Sequence, residues 1–166
     1  MLFRSLTVAP QAQLRGMLFW LMGDLSNAES SGVAWLVLAL CVGGFTMWSR
    51  SLDALAMGAL KARALGVAVG AMQAALYFSA ATATVAAVLV GGTIGFVGIM
   101  VPHALRLAGV HDHRRLIPAA ALTGGIFVTF ADTFARTVWA PQQLPVGVFT
   151  ALLGVRVLLF LLSKRS

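Results

Sequence analysis

Charge is scarce in this chain. Lysine, arginine, aspartate and glutamate make up 10% of its 166 residues, and only five of these are acidic. A soluble domain carries about 25% charge, so too little is present to coat a water-facing surface. Cysteine is nearly absent. Cys41 is the single one and lies inside an apolar run. It cannot close an internal disulfide, and no Cys-x-x-Cys or Cys/His framework for a metal exists. No Gly-x-x-x-x-Gly-Lys-Ser/Thr loop, Gly-x-Ser-x-Gly elbow, His-Glu-x-x-His pair or Ser/His/Asp set occurs. These gaps argue against an enzyme, against ATP binding by a P-loop, and against a resident cofactor or metal.

What is present is apolar. Hydrophobic residues are 60% of the chain and the mean hydropathy is +0.91. The composition predicts an all-α, polytopic membrane helix bundle, a single transmembrane domain over residues 1–166. A net charge of +7 raises the question of nucleic acid. The basic residues instead sit in short loops between apolar runs, as the positive-inside rule requires, so no nucleic-acid partner is expected.

Five apolar runs read as spans: Val33–Trp48, Val67–Val90, Gly91–Leu107, Leu116–Ala131 and Leu144–Leu162. Trp35 and Trp48 suit interfacial anchoring of the first. Leu14–Leu25 is too short to cross a bilayer, which takes about 20 residues, and reads as an interfacial or re-entrant helix. Asp24–Gly32 reads as a polar loop, Ala108–Arg115 as a basic loop, and Asp132–Pro145 as an interfacial segment. Ser49–Gly66 is amphipathic: Leu52, Leu55, Ala56, Ala59 and Ala62 can share a face, with Arg50, Lys61 and Arg63 on others. Gly58 is placed to break it into two short helices that do not span.

If the spans alternate, Arg50, Lys61, Arg63, Arg106, Arg114, Arg115, Lys164 and Arg165 share one side, against Arg15 and Arg136 on the other. This asymmetry predicts a cytoplasmic C-terminus and a cytoplasmic 49–66 segment. The residues before Val33 then lie outside, and Met1–Pro10 is too short for a signal peptide. An outside start of this kind suggests that an upstream part is missing.

Gly91–Pro118 is the densest stretch in special residues. On a helix, Gly92, Gly95 and Gly98 would leave one face bare for close approach by another helix. Pro102 removes a backbone donor and is tolerated only where neighbouring protein satisfies the freed carbonyl. His103 and His111-Asp112-His113 could supply metal ligands, but Arg114 and Arg115 make the loop a poor cation site. The plainer reading makes Asp112 a cap for the next helix. Asp132 and Arg136 are four apart and can pair on a helix. Arg156 lies inside the last span, where its long stem can snorkel toward the cytoplasmic end.

Several motifs together resemble one family. GTIGFVGIMVPHALRL (Gly92–Leu107) followed by DHR (Asp112–Arg114) resembles the FecCD-type permeases, the membrane subunits of bacterial ABC importers for iron-siderophores, haem and vitamin B12. LFWLMGDLS (Leu18–Ser26), Leu52–Val67, Ala131–Arg136 and QLPVGVFTALLG (Gln143–Gly154) resemble the family in its order. The resemblance covers about residues 11–162, the C-terminal half of a family domain of about ten spans.

The resemblance implies roles. Leu52, Leu55, Gly58, Ala62, Leu65 and Gly66 would belong to the coupling helices that dock an ATP-binding ABC subunit. Arg136 would pair with a glutamate of a periplasmic substrate-binding protein. Gly92, Gly95, Gly98 and Pro102 would serve helix packing. Pro145, Gly147, Thr150 and Gly154 would lie on the span lining the translocation path and the interface with a second permease copy, in a homo- or heterodimer. It implies alternating access driven by ATP hydrolysis in the separate subunit, in the bacterial inner membrane among membrane lipid. Two positions depart from the family: Arg156 stands where proline is usual, and Ala59 where an acidic residue is often found. A truncated non-transporting remnant, or a small standalone channel or scaffold, are the alternative readings.

Overall fold

The computed structural model describes residues 11–25, 32–137 and 145–163. The start Met1–Pro10, residues 26–31 of the expected 24–32 loop, residues 138–144 of the expected 132–145 segment, with Trp139, and the tail with Lys164 and Arg165 lie outside these residues. Among the described residues every regular element is a helix: α1 (Gln11–Leu21), α2 (Gly32–Met47), α3 (Ser49–Ala56), α4 (Ala59–Ala64), α5 (Val69–Gly91), α6 (Val97–Leu107), α7 (His113–Thr137) and α8 (Val146–Ser163).

The apolar runs dictate the long helices. α5 and α7, of 23 and 25 residues, are long and apolar enough to cross a membrane; α2 and α3 together make a third candidate, bent by 68°. At about 1.5 Å per residue α7 is about 37 Å long, more than the hydrocarbon core of about 30 Å. Its threonines disarm their own polarity. Thr123, Thr129, Thr133 and Thr137 donate to carbonyls one turn back, at 2.6–2.9 Å, as do Thr82 and Thr84 in α5 at 2.8 Å. A hydroxyl satisfied within its own helix can face lipid. Large apolar side chains accordingly point outward, Tyr77, Phe78, Leu122 and Phe130 among them.

α7 is the axis. α2, α6 and α8 all pack on it, and α3 packs on its first turns. One buried cluster, Ala54, Ala62 and Val69 with Leu55 and Val67, sits at the α3–α4 end. Another, Ala131, Ala135 and Val146 with Ile94 and Phe149, sits at the far end of α7. There Phe134 and Phe149 stack with centroids 6.2 Å apart.

The structure corrects several expectations. Gly91–Leu107 is not one helix. α5 ends at Gly91, residues 92–96 are non-helical, and α6 has only 11 residues, about 16 Å, or half a bilayer core. Val97 lies against Gly124 near the middle of α7, and Phe96 against Gly154 of α8. The irregular stretch therefore descends from the end of α5 to mid-depth, within reach of packed protein, where such backbone is tolerated. α7 begins at His113, before the expected loop ends, and continues through Asp132 to Thr137. α1 stops at Leu21, short of the expected Leu25.

Candidate functional site

Two regions at opposite ends of α7 carry the predicted functional residues. At the first, α3 and α4 are separated by Gly58, as the sequence predicts. Gly58 has φ +108°, a conformation costly for residues with a Cβ, so the break is built into the residue. α4 closes through backbone bonds from Gly66 to the Arg63 carbonyl and from Val67 to the Ala62 carbonyl, the usual way of satisfying the last carbonyls of a helix.

The two faces of this pair differ from the predicted partition. Leu52, Ala54 and Ala62 are buried against the bundle and Leu55 is half-buried, whereas Ala56 and Ala59 are exposed. Leu52 and Ala62 thus mount the segment and offer nothing to a partner. The outward surface carries Met57, Leu60 and Leu65, at 55%, 84% and 64% exposure, flanked by exposed Lys61 and Arg63. Met57 and Leu60 were not singled out from sequence. Their apolar character beside cationic neighbours on a non-spanning segment was the available signal.

A second device holds this segment. The Asp53 carboxylate accepts from the His113 backbone N–H at 3.2 Å and lies 2.5 Å from His113 Nδ1. An ionised carboxylate is an acceptor only, so Nδ1 carries the proton. Residues 60 apart in sequence thereby fasten α3 to the first residue of α7. Desolvation by burial pushes the Asp53 pKa up, but the His113 side-chain and backbone hydrogen bonds and the His113 charge together hold it below its ordinary value. Asp112 caps α7 as expected, its carboxylate accepting from the Arg114 N–H at 3.0 Å and its carbonyl from Leu116 N–H at 2.8 Å. His113 is therefore a fastening residue in the helix and not a loop histidine. Among the described residues no three metal-ligating side chains converge.

The lowered pKa gives the sign of a pH effect. The Asp53 contribution is complete above the unfolded-state aspartate value and is lost as pH falls through the lowered folded value. The Asp53 side chain is 39% exposed, so the pair is worth about 1 kcal/mol. Asp53→Asn is expected to raise amide exchange over residues 49–66 about fivefold at pH 7. In the parent chain the same increase is expected only in acid, below the ordinary aspartate range near pH 4.

At the other end, Arg136 Nε donates to Asp132 Oδ2 at 2.8 Å, as the spacing predicts, with side chains 38% and 22% exposed. Nearby, three stretches of backbone converge: the turn after α1, the start of residues 92–96 and the start of α8. Thr93 Oγ1 donates to the Leu21 carbonyl at 2.5 Å, and Gly147 N–H to the Gly23 carbonyl at 3.4 Å. A Cβ on Gly92 would overlap the Trp20 carbonyl oxygen, and one on Gly147 the Met22 carbonyl oxygen.

The predicted packing glycines therefore diverge. Gly92 is a site of close approach, but of non-helical backbone to the last turn of α1 and not of helix on helix. Gly95 lies outside any helix, and a Cβ on Gly95 or Gly98 would meet open space. Pro102 is half-buried within α6. The predicted interface residues of the last span also face differently. Pro145, Gly147, Thr150 and Gly154 are buried within this chain. Thr150 donates to the Gly147 carbonyl at 3.1 Å, and Gly154 lies under Phe96. The open face of α8 instead carries Val148, Leu152, Val155 and Arg156. These line a groove of about 740 Å³ with Met22, Thr93, Gly147 and Ala151. Arg156 is the one charged residue among them.

Known proteins resemble this chain in sequence and in fold. The chain is 40% identical over 163 residues to the cobalamin import system permease protein BtuC of Halobacterium salinarum, covering 97% of this chain and 44% of the relative. It is 39% identical over 161 residues to the hemin transport system permease protein HmuU of Yersinia pestis, covering 95% and 48%. It is 37% identical over 155 residues to the vitamin B12 import system permease protein BtuC of Citrobacter koseri, covering 91% and 46%. The chain thus spans about half the length of these curated relatives. Among solved structures, an inward-facing conformation of a metal-chelate type ABC transporter superposes with a TM-score of 0.80 at 27% identity, over 93% of this chain and 51% of that one. The family model described as the FecCD transport family matches residues 2–164, and the chain belongs to that family.

Proposed function

We propose that this chain is a membrane-spanning permease segment, a single transmembrane domain, of a binding-protein-dependent ABC importer for cobalamin, haem or an iron-siderophore chelate. The relatives' named transport activities and the superposition support this reading. The observation that carries it is the α3–Gly58–α4 pair: a short amphipathic element, fastened to α7 through Asp53 and His113, with Met57, Leu60 and Leu65 facing away from the bundle. Bundle and docking surface are then separate, as a subunit driven by another protein requires. The ATP-binding subunit docks on that surface and hydrolyses ATP. A substrate-binding protein docks at the Arg136 end, and the open face of α8 meets a second permease copy along the substrate path. The α3–α4 end and the C-terminus are cytoplasmic, in the plasma membrane.

Transport follows by alternating access. Closure of the ATPase subunits moves α3–α4, and the fastening at His113 passes the movement to α7, whose length connects the two faces. No covalent chemistry occurs in this chain. The test is capture: affinity-tagged chain in detergent is expected to retain its ATPase subunit. Absence of retention would favour a non-transporting remnant or a standalone channel. Arg136→Glu is expected to weaken binding-protein docking at least tenfold, since a cation that meets a carboxylate becomes a like charge. Unchanged docking, measured by surface plasmon resonance on reconstituted complex, would remove that role.

A further inference from the structure

The α2–α3 corner carries a feature that the transport reading leaves unused. Thr46, Met47, Ser49, Arg50 and Arg114 line a cavity of about 460 Å³. Arg50 comes from the first turn of α3 and Arg114 from the first turn of α7, so the fold brings two arginines 64 positions apart in sequence to the lining of one cavity. The carboxylates that could neutralise them are committed elsewhere. Asp53, three residues after Arg50, is bonded to His113. Asp112 accepts from the Arg114 backbone N–H. Among the described residues neither guanidinium has an ion-pair partner, and both arginines are exposed. The lining thus holds two fixed cations and no anion.

Depth narrows the ligand. The cavity lies at the 68° bend where the apolar α2 gives way to the amphipathic α3. Trp48 sits at that bend, 52% exposed and edge-on to Phe45, as an aromatic anchor at headgroup level does. Met47, 85% exposed, gives the lining an apolar edge where acyl chains begin. Planar guanidinium groups suit phosphate oxygens bidentately. The geometry points to a binding site for the phosphate of an anionic phospholipid, held between Arg50 and Arg114 at the membrane surface on the α3–α4 side. It pins the corner from which the docking segment leaves the bilayer. The site rests on this chain's own side chains and stands whether or not the transport reading does.

Native mass spectrometry of the full chain, released from nanodiscs of equal phosphatidylglycerol and phosphatidylcholine, tests it. Retained phosphatidylglycerol is expected on the parent chain. Arg50→Ala or Arg114→Ala should each weaken retention about fivefold, and the double variant about 25-fold. Arg115→Ala makes the same charge change one residue away from the lining and should retain the lipid. Equal loss in Arg115→Ala, or equal retention of phosphatidylcholine, would overturn the site as nonspecific attraction. Inorganic phosphate, the other source of the same chemistry, should leave the lipid in place; phosphate that displaces it would overturn the lipid assignment. An ATPase subunit that binds the parent chain but not the double variant in lipid-free detergent would show the arginines meeting a protein carboxylate, and would also overturn it.

Discussion

Replacing Met57 and Leu60 together by glutamate is expected to abolish capture of the ATPase subunit while leaving the membrane bundle folded. The asymmetry follows from where these side chains stand. Leu60 is 84% exposed and Met57 55%, so neither holds this chain together. Burying such a side chain against a partner gains about 1.5–3 kcal/mol. A carboxylate in its place forfeits that gain and adds a desolvation penalty. Two such changes are worth more than 100-fold in affinity by that arithmetic. Leu52→Ala makes the contrast. Leu52 is buried, so its loss should cost about 2–5 kcal/mol, as for other truncated core leucines. It should loosen the mounting of α3, with capture and thermal stability falling together. Capture measured beside a melting profile in detergent separates the two patterns.

Gly92→Leu is expected to prevent the chain from reaching its folded state. Gly92 has φ +68° and ψ −160°, a region essentially reserved for glycine that costs another residue about 1–3 kcal/mol. The larger penalty is steric, since a Cβ there would overlap the Trp20 carbonyl oxygen. The obstacle is backbone, so no side-chain rotation relieves it. Either α1 and its following turn move away, breaking the Thr93–Leu21 bond, or residues 92–96 are displaced and α6 loses its start. Phe96 already holds a left-handed conformation at the N-terminus of α6, φ +68° and ψ −26°, a strain of about 1–3 kcal/mol that its surroundings must hold in place. Gly95→Ala is the control. Its Cβ meets open space, and the effect should stay within about 0.5 kcal/mol, as at ordinary surface positions. Monodisperse recovery by gel filtration in detergent reads the difference. Equal behaviour of the two variants would contradict the junction described here.

That contrast also shows what a sequence can and cannot disclose. The glycines at 92, 95 and 98 look equivalent by spacing, yet they stand in three environments, because the chain leaves the helix at Gly92 and resumes it at Val97. An apolar stretch bears no mark where helix gives way to irregular backbone when packed protein surrounds both. The apolar runs disclose α5 and the middle of α7, and single residues or a one-turn spacing disclose the break at Gly58 and the Asp132–Arg136 pair, since each of these is a local property of the chain. The Asp53–His113 fastening, the Arg50–Arg114 pair and the inward face of Pro145–Gly154 depend on how separate elements meet. In membrane helices that are apolar on every side, the pattern does not say which face meets protein and which meets lipid.

The central claim is that the outward surface of α3–Gly58–α4 meets the ATPase subunit, and proximity tests it most directly. With Cys41 replaced by serine, Leu60→Cys should form a short-linker cross-link to the ATPase subunit in reconstituted membranes. Leu36→Cys, on the exposed flank of α2, should form none. A cross-link at Leu60→Cys that depends on nucleotide is the predicted result. Its absence in a complex that still hydrolyses ATP, or an equal cross-link at Leu36→Cys, would contradict the account.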